Sequence, residues 1–368
     1  MEMTRPRVKP EHLPFRIAGG LIRIGGVTGG IASEIEDPTG SVWTLLEFMD
    51  GSRSVGEIVT DVIARHPEET DDAVREAIKV MIGSGYVEDA GSPDPAELSP
   101  REKVRYSRSR NYFRWVDLVP RASSWEPQVA LRRARVTVIG IGGTGGFAAM
   151  ALAASGVGHL HCVDGDTVEL SNLNRQVLFD EDDIGMAKVD AAVRRLQRLN
   201  SDISVTGERV RVRGAEDMLP LAKGCDVLLL AADNPPEMTV WTNRACLAAG
   251  TPWVDAGYHG PVALVGSYVP GSSACWECVR RTHDARQEPL AVNHADAIRR
   301  PVENAVSATS AGLSGILAGQ AIISLLTGAP SVAAGQIQAI NLVQSNSPFV
   351  LSSERWADCP GCGQAASA

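Results

Sequence analysis

A glycine-rich turn is the first feature of this sequence with chemical potential. An apolar run rich in β-branched residues leads through the segment VTVIGIGGTGG into a helix of small residues. Glycines in such a strand–turn–helix let the backbone approach a phosphate, and the N–H groups at the helix N-terminus attract an anion. The pattern predicts a nucleotide site; a tight turn with only a structural role is the alternative. The glycines are Gly140, Gly142, Gly143 and Gly145.

Two carboxylates follow the next apolar run. That run ends in Asp164, about 20 residues after the turn, and Asp166 comes two residues later. A carboxylate at the end of the second parallel strand can accept hydrogen bonds from ribose hydroxyls. We therefore assign Asp164, and with it Asp166, to the nucleotide. The turn and the carboxylates fit a NAD-dependent hydride-transfer enzyme as well as an enzyme that adenylates with ATP.

Two cations and a third carboxylate decide between these enzymes. Arg175 and Lys188 come soon after the second strand, and Asp233, followed by Asn234, ends another apolar strand. Cations neutralise charge that develops at an α-phosphate, and an aspartate can hold Mg²⁺. A nicotinamide site has little use for such a set. Either cation alone would be an ordinary surface charge, but the whole set predicts that the protein uses ATP and Mg²⁺.

Four of the seven cysteines form two C-x-x-C pairs about 80 residues apart. Two such pairs in one chain are typical of a tetrahedral Zn²⁺ site, and four thiolates leave no coordination position open. We expect a structural Zn²⁺ ion; a redox-active C-x-x-C is the alternative. The other three cysteines stand singly in apolar surroundings and are expected in the core. The paired cysteines are Cys275, Cys278, Cys359 and Cys362.

These residues need a sheet to position them. From residue 101 onward, apolar strand patterns alternate with helix patterns, which is typical of an α/β fold with a doubly wound, mostly parallel, Rossmann-like sheet. Residues at the carboxyl ends of its strands would converge on one edge of the sheet. The strands are predicted at 136–141, 159–163, 203–209, 227–231 and 253–256.

A separate small domain precedes this fold. Residues 1–90 contain three short strand patterns and then three helix patterns, with a strand again at 86–88, and predict a winged-helix-like α+β domain. The second and third helices are expected to begin after a Ser cap and a Thr cap. Residues 91–100, rich in Pro, Ser and acidic side chains, are the predicted linker to a domain at 101–368.

Composition excludes several classes of function. The 368 residues carry a net charge of −9 and are 44% hydrophobic, enough for two domains with a sizeable core. The acidity, with the acidic run at 68–72, argues against a nucleic-acid partner and against a DNA-binding winged helix. The apolar stretch at 313–326 is short and interrupted, so we expect a buried or dimer-interface helix and no membrane partner. The polar first ten residues predict no secretory signal and a cytoplasmic location.

Several motifs together identify a family resemblance. The glycine turn, DGDTVELSNLNRQVLF, GMAKV, AADN and the paired C-x-x-C motifs resemble the ThiF/MoeB/ubiquitin-activating adenylyltransferase family. The resemblance covers residues from about 101 to the end. It implies a homodimer that binds Mg·ATP, in which a carboxylate attacks the α-phosphate to give an acyl-adenylate and pyrophosphate. It also implies that Asp164 holds the ribose, Asn172, Arg175 and Gln176 line the phosphates, Lys188 steadies the α-phosphate and Asp233 binds Mg²⁺.

Two further segments bear on the mechanism. The string RYSR at 105–108 resembles the segment from which the partner subunit donates an arginine, so Arg108 is expected to act in trans; a solvated basic helix is the alternative. No cysteine lies between Cys278 and Cys359, where ubiquitin-activating relatives keep their thioester cysteine. We therefore expect adenylation without covalent capture. By family position, residues 280–301 are predicted to form a loop that covers the substrate.

The N-terminal domain has a resemblance of its own. The segments LLEFMDGSRSVGEIVTDV and AIKVMIGSGYVED resemble the PqqD-like peptide-recognition domains of ribosomal peptide-modification pathways. That implies a precursor peptide bound as an added strand near residues 31–36 and 74–82. With both domains, the chain resembles the microcin-C-type peptide adenylyltransferases. We expect adenylation of a carboxyl or amide group, first of all the C-terminus, of a ribosomally synthesised precursor peptide. The alternatives are a sulfur-carrier adenylyltransferase and a catalytically silent peptide-binding scaffold.

Overall fold

The computed structural model describes residues 3–27, 29–286, 305–331, 333–344 and 348–363. The chain divides into two compact units, one made of residues 1–130 with 327–330 and the other of residues 131–326 with 331–368. The sequence places the start of the second domain at residue 101. In the structure, residues 101–130 belong to the first unit.

The first unit contains a three-stranded antiparallel sheet, a two-stranded pair and short helices. The sheet has the order β2-β3-β4, and β1 pairs with β5. The three strands and three helices predicted for this part of the chain are present, while β1 was not predicted. The strands are β1 (Pro6–Val8), β2 (Phe15–Ile17), β3 (Leu21–Ile24), β4 (Ser33–Glu36) and β5 (Val87–Asp89). The helices are α1 (Ser41–Phe48), α2 (Val55–Arg65), α3 (Asp71–Gly83), α4 (Pro100–Arg105) and α5 (Ser107–Val116), and α6 (Glu126–Arg133) leads into the second unit.

Side-chain caps begin the second and third helices, as the sequence predicts. The Ser54 hydroxyl accepts a hydrogen bond from the Glu57 N–H, and the Glu57 carboxylate accepts one from the Ser54 N–H. This reciprocal capping box satisfies two donors that a helix N-terminus leaves unpaired. At the start of α3, the Thr70 hydroxyl accepts a hydrogen bond of 3.2 Å from the Ala73 N–H. The apolar faces of α1, α2 and α3 then pack in one core with β1 and β3.

Buried charges hold α5 against the N-terminal segment. Arg114 of α5 forms ion pairs with Glu11 at 2.6 Å and with Glu88 at 3.3 Å, and all three side chains are largely buried. Lys9 donates a hydrogen bond of 2.8 Å to the carbonyl of Asp117, and burial lowers the pKa of Lys9. Removing one partner of such a buried network lowers the stability of the fold, because it leaves a buried charge without compensation. These contacts explain why residues after 101 belong to the first unit.

An eight-stranded mixed sheet forms the second unit. Its order is β13-β12-β11-β10-β9-β6-β7-β8. Five neighbouring strands, β10, β9, β6, β7 and β8, are parallel. Strand β11 pairs antiparallel with β10, β12 with β11, and β13 with β12. The strands are β6 (Arg135–Ile139), β7 (His159–Val163), β8 (Ser204–Glu208), β9 (Val227–Leu230), β10 (Trp253–His259), β11 (Val262–Tyr268), β12 (Gln336–Asn341) and β13 (Pro348–Ser352).

Crossover helices cover this sheet. Helices α7 and α8 contact each other, as do α9 and α10. The chain runs outward from β6 in one direction and then returns to build β9 and β10 in the other. Right-handed crossovers therefore place the two helix pairs on opposite faces. The helices are α7 (Gly143–Ser155), α8 (Lys188–Leu199), α9 (Ala215–Lys223), α10 (Met238–Ala249), α11 (Trp276–Arg286) and α12 (Ala308–Thr327).

The long apolar helix α12 packs inside the unit. By length and composition it is the one helix among the described residues that could cross a membrane, but 61% of its apolar window is buried within the molecule. Its glycines permit close packing: a Cβ atom added to Gly312 would lie 3.2 Å from the Phe147 ring of α7. A buried helix was one of the two roles predicted for residues 313–326.

The predicted fold class is confirmed. All five strands predicted in the second domain are present, within a doubly wound and mostly parallel sheet. The antiparallel extension β11–β13 was not predicted. Of the predicted loop at 280–301, residues up to Arg286 belong to helix α11, and residues 287–301 lie outside the described residues.

Candidate functional site

A cavity of about 770 Å³ opens at the carboxyl ends of the parallel strands. It lies where β6 and β9 are neighbours, and from these two strands the chain continues in opposite directions across the sheet. Ligands of open α/β sheets bind at this kind of switch point. The predicted site residues that line the cavity are Gly140, Gly142, Gly143, Asp164, Asp166, Arg175, Gln176, Lys188 and Asp233.

The glycine turn is built for close backbone approach. Gly140 follows β6 with a φ of +87°, and a Cβ atom there would lie 2.7 Å from the carbonyl oxygen of Ala231. Gly145 does not line the cavity; a Cβ atom there would clash with the Gly140 carbonyl, so this glycine permits the turn. Helix α7 begins after Gly142 with no side-chain cap. Its first-turn N–H groups therefore remain available to an anion.

The carboxylate of Asp164 is held in place by the backbone. Its two oxygens accept hydrogen bonds of 2.8 Å, one from the Ile141 N–H in the glycine turn and one from the Asp166 N–H. Each carboxylate oxygen has a second lone pair that can accept another donor. Asp164 is thus oriented at the end of β7 and retains the capacity to bind hydroxyl groups.

The Asp166 carboxylate forms ion pairs with two cations. One of its oxygens lies 3.3 Å from Lys188 Nζ, and the other lies 2.8 Å from an Arg211 guanidinium nitrogen. Lys188 is only 7% exposed and stands at the start of α8, while Arg211 is largely exposed. A buried ammonium group is tolerated when a carboxylate pairs with it. Asp166 therefore positions Lys188 in the cavity wall; Arg211 was not predicted.

The segment after β7 supplies two further polar groups. The Arg175 guanidinium donates hydrogen bonds to the Ser171 carbonyl at 3.0 Å and to the Asn174 side chain at 2.8 Å. Gln176 is 4% exposed, and its side-chain oxygen has no hydrogen-bond partner among the described residues. Buried polar atoms without partners are rare, which suits a ligand-binding role for Gln176. Asn172 is instead turned inward, where its side-chain oxygen accepts a hydrogen bond from the Glu169 N–H.

The end of β9 brings a third carboxylate to the cavity. Asp233 is exposed and lines the cavity, whereas the neighbouring Asn234 does not line it. A carboxylate oxygen on a cavity wall is a suitable ligand for Mg²⁺. The structure thus brings together the turn, Asp164, Arg175, Lys188 and Asp233, but not Asn172, Asn234 or Gly145.

A second wall of the cavity was missed by the sequence analysis. It is formed by β10, the antiparallel strands and α11, and it includes Asp255, a carboxyl on β10 that was assigned no role. Burial raises the pKa of Asp255 to about 6, and a hydrogen bond from Trp276 opposes this effect. An acidic residue at the end of the apolar run PWVDAG was the available signal. The remaining residues of this wall include Gly257, Tyr258, Leu264, Gly266, Trp276, Arg280, His283, Ile337, Phe349 and Leu351.

The four paired cysteines form one cluster. All four sulfur atoms lie within 4.8 Å of one another, and three of the pairs are 3.5, 3.6 and 3.9 Å apart. A tetrahedral Zn²⁺ site with Zn–S bonds of about 2.3 Å requires sulfur atoms about 3.8 Å apart. None of the described cysteines forms a disulfide. The arrangement fits a four-thiolate metal site rather than a redox pair.

Comparison with known proteins decides the family. The profile of the ThiF family matches residues 112–361. The chain belongs to the ThiF family.

The relatives of this ThiF-family protein include proteins named as adenylyltransferases. Bovine adenylyltransferase and sulfurtransferase MOCS3 is 30% identical over 305 residues, which are 82% of this chain and 63% of that protein. The sulfur carrier protein ThiS adenylyltransferase of Escherichia coli strain K12 is 31% identical over 269 residues, 72% of this chain and 97% of that protein. The chain thus spans less than two thirds of the length of the first relative.

Solved structures share the complete fold of this ThiF-family protein. Escherichia coli MccB with ATP superimposes with a TM-score of 0.76 at 23% identity, covering 97% of this chain and 99% of that one. The microcin C7 biosynthetic enzyme MccB in complex with N-formylated MccA superimposes with a TM-score of 0.74, with the same identity and coverage. Because only 3% of this chain lies outside the coverage, most of the small N-terminal part is common to both folds.

Arg108 belongs to the first unit. It stands near the start of α5, where it is exposed. Among the described residues it has no hydrogen bond or ion pair, unlike Arg110, which bonds to Ser124, and Arg114. An exposed, unpaired guanidinium on a helix of otherwise paired arginines remains available to a ligand or another subunit.

Proposed function

We propose that this protein is an ATP-dependent adenylyltransferase. It activates a carboxyl or amide group, first of all the C-terminus, of a ribosomally synthesised precursor peptide and releases pyrophosphate. One observation carries the proposal: a single cavity has a wall suited to a nucleotide and a second wall on β10 and the antiparallel strands. An enzyme that joins a nucleotide to an acceptor needs both.

The nucleotide wall supplies groups for each part of ATP. The first-turn N–H groups of α7 donate to phosphate oxygens, and Asp164 accepts hydrogen bonds from ribose hydroxyls. Lys188 and Arg175 lie in the cavity wall, where they stabilise the negative charge that develops around the α-phosphorus. As the acceptor oxygen forms a bond to that phosphorus, the bond to the bridging oxygen breaks, and pyrophosphate leaves with the electron pair.

Asp233 is the residue that would hold Mg²⁺. A single protein carboxylate is sufficient, because Mg²⁺ in nucleotide sites takes its other ligands from phosphates and water. When bound, the ion offsets charge on the leaving pyrophosphate. Asn234, next in sequence, is proposed to help bind the nucleotide, although it does not line the cavity in this structure.

The N-terminal unit is proposed to bind the precursor peptide. Strand β4 pairs only with β3 among the described residues, so its other edge can accept an added strand. We propose that the peptide lies along residues 31–36, against residues 74–82 of the third helix. MccB, which shares this fold, has been solved with MccA, and this supports a peptide partner.

We further propose a cytoplasmic homodimer without nucleic-acid or membrane partners, in which Arg108 reaches the triphosphate of the partner subunit. The cysteine cluster is proposed to hold a structural Zn²⁺ ion. Four thiolates complete a tetrahedral shell, so the metal would have no open position for substrate.

A sulfur-carrier adenylyltransferase is the second candidate. The named sequence relatives favour it, since the relative from Escherichia coli acts, by name, on the sulfur carrier protein ThiS. The shared fold with MccB over the whole chain favours the peptide.

One experiment separates the candidates. The full chain is incubated with Mg·ATP and either peptides encoded beside its gene or a carrier protein that ends in Gly-Gly, and pyrophosphate and acceptor mass are followed. A peptide that gains one nucleotidyl unit supports the first candidate. Activity on the Gly-Gly carrier alone supports the second. If neither acceptor produces pyrophosphate, the result favours the remaining alternative, a catalytically silent peptide-binding scaffold.

A further inference from the structure

The second wall of the cavity contains a carboxyl group that the proposed phosphate chemistry does not use. Asp255 lies on β10, directly opposite Gly266 of β11 and beside Leu230 of β9. Its side chain is half-buried and lines the cavity. In the described part of the chain, no lysine or arginine forms an ion pair with it. A carboxyl group in such surroundings lacks the cation that usually compensates burial.

An unpartnered hydroxyl group lies beside this carboxyl. The Tyr268 side chain extends over Gly266. A Cβ atom added to that glycine would lie 2.6 Å from the phenolic oxygen of Tyr268. Tyr268 is 1% exposed, and its hydroxyl has no hydrogen-bond partner among the described residues. Asp255 accepts a hydrogen bond from Trp276, and a carboxylate has lone pairs for further donors, so Asp255 can also bind a donor in the cavity.

Free space continues along the strand from Asp255. Gly257 lies two residues further on the same face of β10 and also lines the cavity. A Cβ atom added to Gly257 would meet no atom within 4 Å. The adjoining wall is apolar and includes Leu264 and Ile337. A polar group at the edge of an apolar recess is typical of a pocket that selects a side chain.

We propose that Asp255 and Gly257 form a subsite for the acceptor residue that is adenylated. The space over Gly257 admits the side chain of that residue, and Asp255 accepts a hydrogen bond from an N–H donor on it. This inference rests on the proposed function, because an acceptor must occupy the second wall. A carboxylate attracts amide and ammonium donors and repels acids, so the subsite selects nitrogen-bearing side chains over acidic ones. Glycine has no side chain that could reach Asp255.

The test measures which terminal residue the protein prefers. The full chain is given Mg·ATP and one precursor peptide, encoded beside its gene, in versions that end in Asn, Lys, Leu, Asp or Gly. Pyrophosphate formation gives kcat and KM for each version. A hydrogen bond to a charged group contributes about 1.5–3 kcal/mol, so kcat/KM for the Asn or Lys version should exceed that for Leu by roughly 10- to 100-fold. The Asn and Lys versions distinguish a neutral amide from an ammonium group.

Two variants locate this preference in the wall. In Asp255→Ala, we expect the preference over Leu to disappear, mainly through KM. Asp255→Asn keeps an acceptor oxygen for an amide donor but loses the attraction for ammonium. Gly257→Val fills the free space, so it should raise KM for the Asn and Lys versions more than for the Gly version. Asp190→Asn removes an exposed carboxyl of α8 that does not line the cavity and is the matched control.

Separate outcomes bear on the subsite and on the proposed function. ATP affinity, measured by calorimetry, should be unchanged in these variants, which shows that the fold and the nucleotide wall are intact. If Asp255→Ala and wild type have the same terminal preference, the subsite is wrong while the adenylyltransferase proposal stands; if Asp255→Ala does not fold, the Gly257→Val result decides. If wild type forms no pyrophosphate with any peptide version, the proposed function fails and the subsite fails with it.

Discussion

Single residues of the nucleotide wall depend on one another. Lys188 is buried and reaches the cavity with its ammonium group 3.3 Å from one oxygen of Asp166, while the other oxygen pairs with Arg211. An ammonium group in this buried position is stabilised by a carboxylate partner, because a buried charge without a partner is costly. Asp166 therefore keeps the charge of Lys188 where a phosphate can use it.

The first prediction concerns Asp233. In Asp233→Ala, we expect pyrophosphate formation to fall about 100-fold or more, because a ligand of the ion that offsets phosphate charge is lost. The measurement is ATP–pyrophosphate exchange at saturating Mg²⁺. Asp190→Asn is again the control and should retain wild-type rates. Wild-type exchange by Asp233→Ala would remove Asp233 from the mechanism.

The sequence predicted residues of the proposed nucleotide wall but none of the second wall, for a physical reason. Gly140 and Asp164 are recognisable because strand, turn and carboxylate follow each other along the chain. In the sequence, Asp255 is only an acidic residue in an apolar strand. The pairing of β10 with its neighbours is needed to show that its side chain lines the cavity. Asn172 belongs to a recognisable motif, yet its side chain caps a local turn, and spacing cannot distinguish these roles.

At the scale of elements, the glycine turn couples two strands. Gly140 follows β6 in a left-handed conformation and approaches the backbone at the end of β9. The same backbone positions the first turn of α7 and leaves room for Asp233 at the end of the neighbouring strand. The turn therefore aligns two parts of the nucleotide wall simultaneously.

The second prediction tests this turn. Gly140→Ala places a Cβ atom at a φ of +87° and 2.7 Å from the Ala231 oxygen, so we expect a loss of about 1–3 kcal/mol of stability and weaker ATP binding. Thermal unfolding and calorimetry measure the two effects. Gly146→Ala is the matched control: it lies inside α7, where a Cβ atom would make only an ordinary contact of 3.5 Å with Leu178. Alanine favours a helix interior by roughly 0.5–1 kcal/mol, so this variant should be as stable as wild type or more so.

The third prediction concerns the cysteine cluster, which joins the start of α11 to the C-terminal segment. Cys359→Ser removes one of four thiolates, so we expect the protein to lose most of its Zn²⁺ and to unfold at a lower temperature. Metal analysis of the purified protein should find about one Zn²⁺ per chain in wild type. Cys225→Ser changes a half-buried cysteine outside the cluster and should keep the metal. An unchanged metal content and unfolding temperature in Cys359→Ser would contradict a structural zinc site.

The elements themselves were only partly predictable. The five parallel strands are short apolar runs that end in turn residues, and such runs mark buried strands well. Strand β12, QIQAIN, has only weak alternation and is separated from β11 by more than 60 residues. Its pairing depends on long-range contacts that no local pattern encodes. Strand β1 was missed for the same reason, since it pairs with β5 almost 80 residues later.

At the scale of the whole molecule, the arginines of α5 divide into two groups. Arg110 and Arg114 are committed to contacts within the first unit, which anchor the helix. Arg108 on the same helix has no partner among the described residues. A fixed helix with one uncommitted guanidinium is suited to reach a triphosphate in a second subunit.

The fourth prediction tests this donation between subunits. Arg108→Ala and Asp233→Ala should each be inactive alone, but mixed and re-equilibrated dimers should regain about a quarter of wild-type activity, because half of the dimers then contain one complete site. Pyrophosphate exchange of the mixture is the measurement. The control is Arg108→Ala protein alone, taken through the same mixing and re-equilibration. If the mixture stays inactive, Arg108 acts within its own chain or not at all.

The mixed sheet has a consequence for how such a protein can diversify. The nucleotide wall stands on β6, β7 and β9, whose parallel pairing requires crossover helices, so a change of length in one connection disturbs several elements. The second wall stands on β10 and its antiparallel neighbours, and β10 joins β11 by a short turn at Gly260. Such hairpins accept altered loops and side chains with only local effects. Under the proposed function, the choice of acceptor can therefore change between relatives while ATP chemistry is preserved, since the two walls stand on parts of the sheet that differ in their tolerance of change.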